Sequence, residues 1–426
     1  MALSRFSVEN YRCFDDRQDI ELGRITVVLG KNNSGKSALV RAPLVLSTGV
    51  RTQSSLPLDL DLLGDAAPTF SDLIYGGNPH GRVQLGLDFE HEAFGPFGLE
   101  ATIQNIDEWQ TQVISELVLR ANSTATQMTW DYKEDESAWS SRRSYRVRNP
   151  EECESSLQSL SFRGLLPAEI REPTLSSSPT DFAASVIREG FDRIRYLGPF
   201  RERPEWVARL PSRAPLAVGS SGEEALGMIG YDAVRGRRQI IDKINDLLSE
   251  HLPGWKFEVH SLDDRHFTLD LSALTEKHVK VNLRDAGTGV AQLLPLLTQR
   301  AMDAAQSPQR PVLQVVEEPE LHLHPSAHAM VADLLLRGSR ETAVRYLVET
   351  HSETFLLRLR RRVAEGEIAP EDLSIYFVEH SEGSAQARRV GVDRLGNLDY
   401  WPTGVFSEDF EEARALTEAQ SRSMER

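Results

Sequence analysis

The stretch Gly30-Lys31-Asn32-Asn33-Ser34-Gly35-Lys36-Ser37 constrains this chain more than any other. It fits G-x-x-x-x-G-K-[ST], a loop that wraps a phosphate chain. Ile25-Thr26-Val27-Val28-Leu29 before it is a β-branched apolar run and reads as a buried strand. Ala38-Leu39-Val40-Arg41-Ala42 after it has helix-forming residues and no early breaker. Gly30 and Gly35 permit backbone angles that a Cβ resists. Asn32, Asn33, Ser34 and the helix start then present N–H groups to phosphate oxygens. In this pattern Lys36 reaches the β- and γ-phosphates, and the Ser37 hydroxyl binds Mg²⁺. The expected cofactors are ATP and Mg²⁺.

The chain has 426 residues, room for roughly two or three units. At 40% hydrophobic and 26% charged it has an ample core. No apolar run nears the ~20 residues that span a bilayer, and Met1 to Phe6 lacks a signal-peptide core. Cys13 and Cys153 are the two cysteines, too few for a disulfide framework or a Cys-rich zinc site. A cytoplasmic protein is expected. The net charge of −16 argues against a surface that binds DNA as a whole, so any DNA contact must use a local basic patch.

Leu3 to Phe14 and Ile20-Glu21-Leu22 read as two short antiparallel strands ahead of the phosphate-loop strand. Residues 47–82 are irregular, with Phe70 to Tyr75 as an apolar anchor. Val83 to Phe89 alternates as a strand, and residues 83–148 read as an antiparallel β lobe. Residues 149–260 read as a mostly helical insert. It holds a linker at Pro173–Pro179, a helix ending at Ile187, a returning strand at Ile194–Pro199 and an amphipathic helix over 231–251. Arg201, Arg203, Arg235, Arg237 and Arg238 are the candidate basic residues there, either solvated or facing phosphate. No segment sustains heptads.

The second half, residues 261–360, carries three further motifs. Asp285-Ala286-Gly287-Thr288-Gly289 opens an apolar helix. Pro311 to Val316 is an apolar strand ending in Glu317-Glu318, the Walker B arrangement. Glu317 is expected in the Mg²⁺ shell and Glu318 as the base that polarises water. Glu320, His322, His324 and His328 read either as a metal cluster or as part of the loop after Walker B. Tyr346 to Ser352 is a strand ending in a polar turn with His351 at its tip. Residues 361–426 read as a small β region, with Ile375–Glu379 and Ala387–Asp393 pairing, then Leu395–Pro402 and Val405-Phe406.

In this order the motifs resemble ABC-type, SMC-like AAA ATPases of the OLD-like class. The resemblance implies an α/β, ABC-type P-loop NTPase head with a mixed sheet, an antiparallel β lobe and a globular insert. It makes Arg12, in the Asn10-Tyr11-Arg12 turn, either a nucleotide neighbour or a solvated residue. It makes Gly287, Thr288 and Gly289 a degenerate signature motif that meets the nucleotide of a second subunit. It makes His351 the switch histidine. Lys36, Glu318 and His351 are then the catalytic set. Glu317-Glu318-Pro319-Glu320-Leu321-His322-Leu323-His324-Pro325 is typical of small OLD-like ATPases. No Asp-x-Asp follows residue 351, so the TOPRIM nuclease of OLD proteins is not expected. The resemblance implies a homodimer or larger homo-oligomer through ATP. It also implies a sensor role in a Septu-like anti-phage system with a separate effector, or alternatively a RecF-like role in DNA maintenance.

Overall fold

The computed structural model describes residues 2–64, 67–91, 95–109, 111–132, 144–149, 155–168, 183–188, 194–249, 253–274, 279–306, 311–381, 383–401, 412, 414–417 and 420. The Pro173–Pro179 linker, Pro402, Val405 and Phe406 lie outside these residues.

Two sheets organise the fold. The first is antiparallel and eight-stranded, in the order β2-β1-β4-β5-β6-β7-β8-β9. Its strands are β1 (Ala2–Glu9), β2 (Gln18–Glu21), β4 (Arg82–His91), β5 (Gly95–Ile106), β6 (Thr111–Ala121), β7 (Thr124–Trp130), β8 (Ser144–Arg148) and β9 (Ser156–Ser159). The two leading strands join the lobe directly, because β1 pairs with both β2 and β4. A two-stranded ribbon follows, β10 (Phe162–Arg163) with β11 (Leu166–Pro167).

The second sheet has six strands in the order β12-β17-β18-β3-β19-β20. β12 (Ile194–Leu197), β17 (Val312–Glu317), β18 (Val344–Glu349), β3 (Ile25–Gly30) and β19 (Leu373–Ser381) run parallel. β20 (Ser384–Val390) closes the edge antiparallel to β19. Strands buried on both faces need apolar residues at nearly every position. β3 and β18 meet this, and their residues alternate between two cores. Val28 joins the core shared with the antiparallel sheet and Leu39 and Val40 of helix Lys36–Arg51. Val27 and Leu29 join the opposite core, with helices Thr288–Gln306, Pro325–Glu341 and Glu353–Ala364.

The C-terminal strands are part of the phosphate-loop sheet. β19 lies beside β3, with Val378 opposite Gly30.

The insert is mixed where the sequence suggests mostly helix. Among its described residues, helices Ala225–Arg235 and Gln239–Ser249 stand beside strands β9 to β12, β13 (Ala208–Arg209) and most of β14 (Trp255–Ser261); β13 and β14 pair with β15 (His266–Ala273), which with β16 (Lys280–Asn282) belongs to the second half of the chain. The single helix expected over 231–251 is two. Gly236 ends the first, its N–H donating back to Tyr231 and Asp232, and Arg238 turns left-handed at φ 60°. Among the described residues, no helix is long and apolar enough to cross a membrane.

Candidate functional site

The site begins with backbone. A Cβ at Gly30 would stand 2.4 Å from the Val378 carbonyl oxygen, so the neighbouring strand excludes any side chain there. Gly35 has φ 106°, and a Cβ on it would meet Cys13 Sγ at 2.4 Å. Helix Lys36–Arg51 therefore starts with its first N–H groups free of any side-chain cap and no acidic residue in its first turn. That end favours an anion. Lys31, Asn32 and Asn33 are exposed and Ser34 is buried. Lys36 curls back and donates to the Lys31 carbonyl at 2.7 Å. Burial lowers its pKa, and the charges of Glu349 and Glu318 oppose that shift.

The parallel strands bring carboxylates to the same end. Glu317 of β17 pairs in register with Glu349 of β18. Each faces a residue of the phosphate-loop helix. The Ser37 hydroxyl donates to Glu349 Oε1 at 2.9 Å. Arg41, one helical turn later, grips Glu317 with two bonds of 2.5 Å. Its guanidinium also lies 5.8 Å from the centre of the Tyr196 ring. Glu349 is 3% exposed, and its Oε2 is buried without a hydrogen-bond partner. Burial, followed by repulsion from Glu317, raises its pKa to about 7.

Beyond Glu317 the chain turns sharply. Glu318 is left-handed at φ 41°, and its N–H donates to the Glu349 carbonyl at 2.8 Å. This turn swings the Glu318 side chain towards β18. Ligand atoms of Glu318, Glu349 and His351 lie within 4.8 Å of one another. The His351 pKa is lowered, by burial first and by Lys36 second, which keeps the imidazole neutral near pH 7. Its N–H donates to Glu320 Oε1, which also accepts from Thr350 Oγ1 at 2.6 Å. The buried Glu320 thus fixes the turn that carries His351.

The structure brings Lys36, Ser37, Glu318, Glu349 and His351 together. Arg12 stands close by, in a left-handed turn whose next residue, Cys13, packs on Gly35. Its Nε is buried without a hydrogen-bond partner. Gly287, Thr288 and Gly289 lie elsewhere, lining a cavity with His322, Leu323, His324 and Ala327 that takes no phosphate-loop residue. The Glu317 carboxylate, expected in the Mg²⁺ shell, is bound by Arg41. One reading needs correction. Arg201 was expected on a basic surface, but it is 6% exposed beneath the Walker B turn. It donates to the Glu317 and Glu318 carbonyl oxygens at 3.1 and 3.4 Å, and burial depresses its pKa to about 10. A buried guanidinium there holds the backbone of the turn.

Two of the histidines after Walker B are spoken for, while His322 is exposed. His324 caps helix Pro325–Glu341 by accepting from the Ser326 N–H. His328 bridges the Ser352 hydroxyl, at 2.7 Å, and the Leu323 carbonyl. Among the described residues they form no metal cluster with Glu320. The donors at Ser37 and Glu349 do suit Mg²⁺, since both are hard oxygens and Oε2 is an orphan. The uncapped helix start and Lys36 suit a nucleotide's phosphates equally.

Parts of the chain match known families. Residues 1–78 and 233–356 match the AAA ATPase domain family. Residues 368–416 match a family described as protein of unknown function (DUF3696). Among solved structures, the chain is similar to an SMC head bound to the C-winged helix domain of ScpA. Identity there is 12% and the TM-score 0.51, over 92% of this chain and 99% of that one. The chain has the mixed α/β fold of an ABC-type P-loop NTPase head. The SMC head domain from Thermotoga maritima shows 13% identity and a TM-score of 0.45, over 92% and 100% of the two chains. An Smc head from Pyrococcus furiosus, with an extended coiled coil and bound to the C-terminal domain of ScpA, shows 10% and 0.49, over 99% of each. No curated protein matches the chain. The AAA match skips residues 79–232, which hold strands β4 to β13.

Proposed function

We propose that this protein hydrolyses ATP in a composite site between two copies of the chain. We further propose that the cycle controls a separate effector protein in anti-phage defence. The observation that carries the first part is the convergence of Lys36, Ser37, Glu318 and His351 at the ends of adjacent parallel strands. Lys36 neutralises phosphate charge. Glu318 takes the proton of the attacking water, and the neutral His351 orients that water by a hydrogen bond. Mg²⁺, when bound, would offset charge on the β- and γ-phosphates from the Ser37 side. Gly287 to Gly289 would bring a helix N-terminus to the nucleotide of the other copy, since the turn stands apart from this copy's own phosphate loop.

The effector role rests on the resemblance of Glu317–Pro325 to small OLD-like ATPases. The runner-up, DNA maintenance of RecF type, needs a basic surface. With Arg201 buried, that surface falls to Arg203, Arg235, Arg237 and Arg238. Arg203 and Arg235 already donate to carbonyl oxygens of their own chain.

The deciding experiment compares ATP binding and turnover. Lys36→Ala should lose both, by roughly 10²-fold or more. Glu318→Gln should retain binding and lose turnover by roughly 10²–10⁴-fold. Wild-type turnover in Glu318→Gln would remove Glu318 as the base. Mixing Lys36→Ala with Gly289→Arg should restore activity that neither has alone, and no restoration would count against the two-copy site. The purified chain should leave linear and circular DNA uncut. Toxicity in cells should require a neighbouring gene product.

A further inference from the structure

We propose that Glu349, rather than the Walker B residue Glu317, supplies the protein carboxylate to the Mg²⁺ of bound ATP, while Arg41 serves as a built-in cation for Glu317. This rests on the nucleotide reading above.

The geometry follows from two matching repeats. Neighbouring strands lie about 4.8 Å apart, and a helical turn rises about 5.4 Å. Ser37 and Arg41, four residues apart on one helix face, can thus face the ends of two adjacent strands. Ser37 meets Glu349 on β18, and Arg41 meets Glu317 on β17. β18 lies between β17 and the phosphate-loop strand β3. Of the paired carboxylates, Glu349 is therefore on the strand next to the phosphate loop.

The two carboxylates also differ in what they have left to offer. Both Glu317 oxygens are taken by the guanidinium in a paired, two-bond arrangement. Freeing Glu317 for a metal would take the partly exposed Arg41 guanidinium off a buried carboxylate. Glu349 spends one oxygen on Ser37, and the other is buried with no partner. That carboxylate lies among Glu318 and His351, with the Lys36 charge acting on it but, among the described residues, no ion pair like that of Arg41 with Glu317. A divalent ion at Ser37 would satisfy the orphan oxygen.

The test measures binding of a fluorescent ATP analogue to the full chain in EDTA, in Mg²⁺ and in Mn²⁺, with free Mn²⁺ followed by electron paramagnetic resonance. Wild type should bind more tightly with metal. Glu349→Gln keeps an acceptor for Ser37 and should reduce that metal-dependent gain about tenfold or more, with matching release of Mn²⁺. The paired change Arg41→Gln with Glu317→Gln removes both charges together and should keep the gain within about twofold. If the double variant loses the gain, or Glu349→Gln keeps it, the assignment is overturned. Should Glu349→Gln not fold, Glu349→Asp reads the same quantity: a reduced gain supports the assignment and a full gain overturns it. A wild type that binds nucleotide without any metal gain also overturns it. A wild type that binds no nucleotide at all instead removes the nucleotide reading, and the assignment with it.

Discussion

On the phosphate side of the site, the groups that would meet a ligand are backbone N–H groups, held open by Gly30, Gly35 and an uncapped helix. On the carboxylate side they are side chains already bound: Ser37 to Glu349, Arg41 to Glu317, and Glu320 to the Thr350 hydroxyl and the His351 backbone N–H. The phosphate side needs only Lys36 to release the Lys31 carbonyl before it can receive a ligand. The carboxylate side holds its acids in place through burial and pairing, and so stores an electrostatic cost when empty. A ligand should therefore add little order to the first side and relieve charge on the second.

The sharpest way to break this comparison is to remove one partner on the carboxylate side. Arg41→Met leaves Glu317 buried and unpaired, and should destabilise the chain by about 3–5 kcal/mol. The double change Arg41→Met with Glu317→Met should recover most of that loss. Thermal or urea unfolding reads both. If Arg41→Met costs less than about 1 kcal/mol, the pair is not holding the strand end, and the contrast between the two sides fails.

Glu349 gives the next largest effect, and it depends on pH. Its folded pKa of about 7 lies above the ordinary 4.5. Below about pH 4.5 the acid is neutral in both states and costs nothing. As pH rises towards 7 the unfolded chain ionises and the folded one resists, so the ligand-free protein loses stability over that window, on the order of 3 kcal/mol. Glu349→Gln has no such group. Its stability should match wild type near pH 4.5 and exceed it above pH 7. Denaturant midpoints measured across the window check this, and a gap that does not vary with pH would place the repulsion elsewhere.

Much of this was legible in the sequence, for a physical reason. A phosphate loop is a backbone shape with fixed spacing, so Gly30, Gly35, Lys36 and Ser37 announce it locally. Strands β3, β17 and β18 show themselves by apolar runs broken only by Thr26, Gln314 and Arg345. The partners on the carboxylate side are set by register between strands far apart in the chain. Glu349 reads as one more strand residue before His351 until its pairing with Glu317 is known. Arg41 carried a signal that could have been used, since it lies one turn from Ser37 on the same helix face. Arg201 follows β12, but only the order β12-β17 shows that the turn it supports is Walker B. The pairing of β19 with β20 was readable from two alternating runs. Their place beside the phosphate-loop strand was not, because parallel neighbours are chosen by topology.

The smallest expected effect separates the histidines after Walker B from those in the site. His324 accepts from the Ser326 N–H at 3.3 Å, a long bond for a helix cap. His324→Ala should therefore cost only about 0.5–1 kcal/mol, at the lower end for a lost N-cap. It should leave the metal dependence of nucleotide binding unchanged, because no described carboxylate shares a metal-sized cluster with it. His351→Ala should do the reverse, sparing stability and lowering turnover, since His351 is exposed near the Lys36 charge and makes its structural hydrogen bond through the backbone N–H. Unfolding curves and ATPase rates on the two variants draw the boundary between loop and site. If His324→Ala abolishes metal-dependent binding at full stability, the metal site extends into the Leu321–Pro325 loop, and the carboxylate side is larger than Ser37, Glu318, Glu349 and His351.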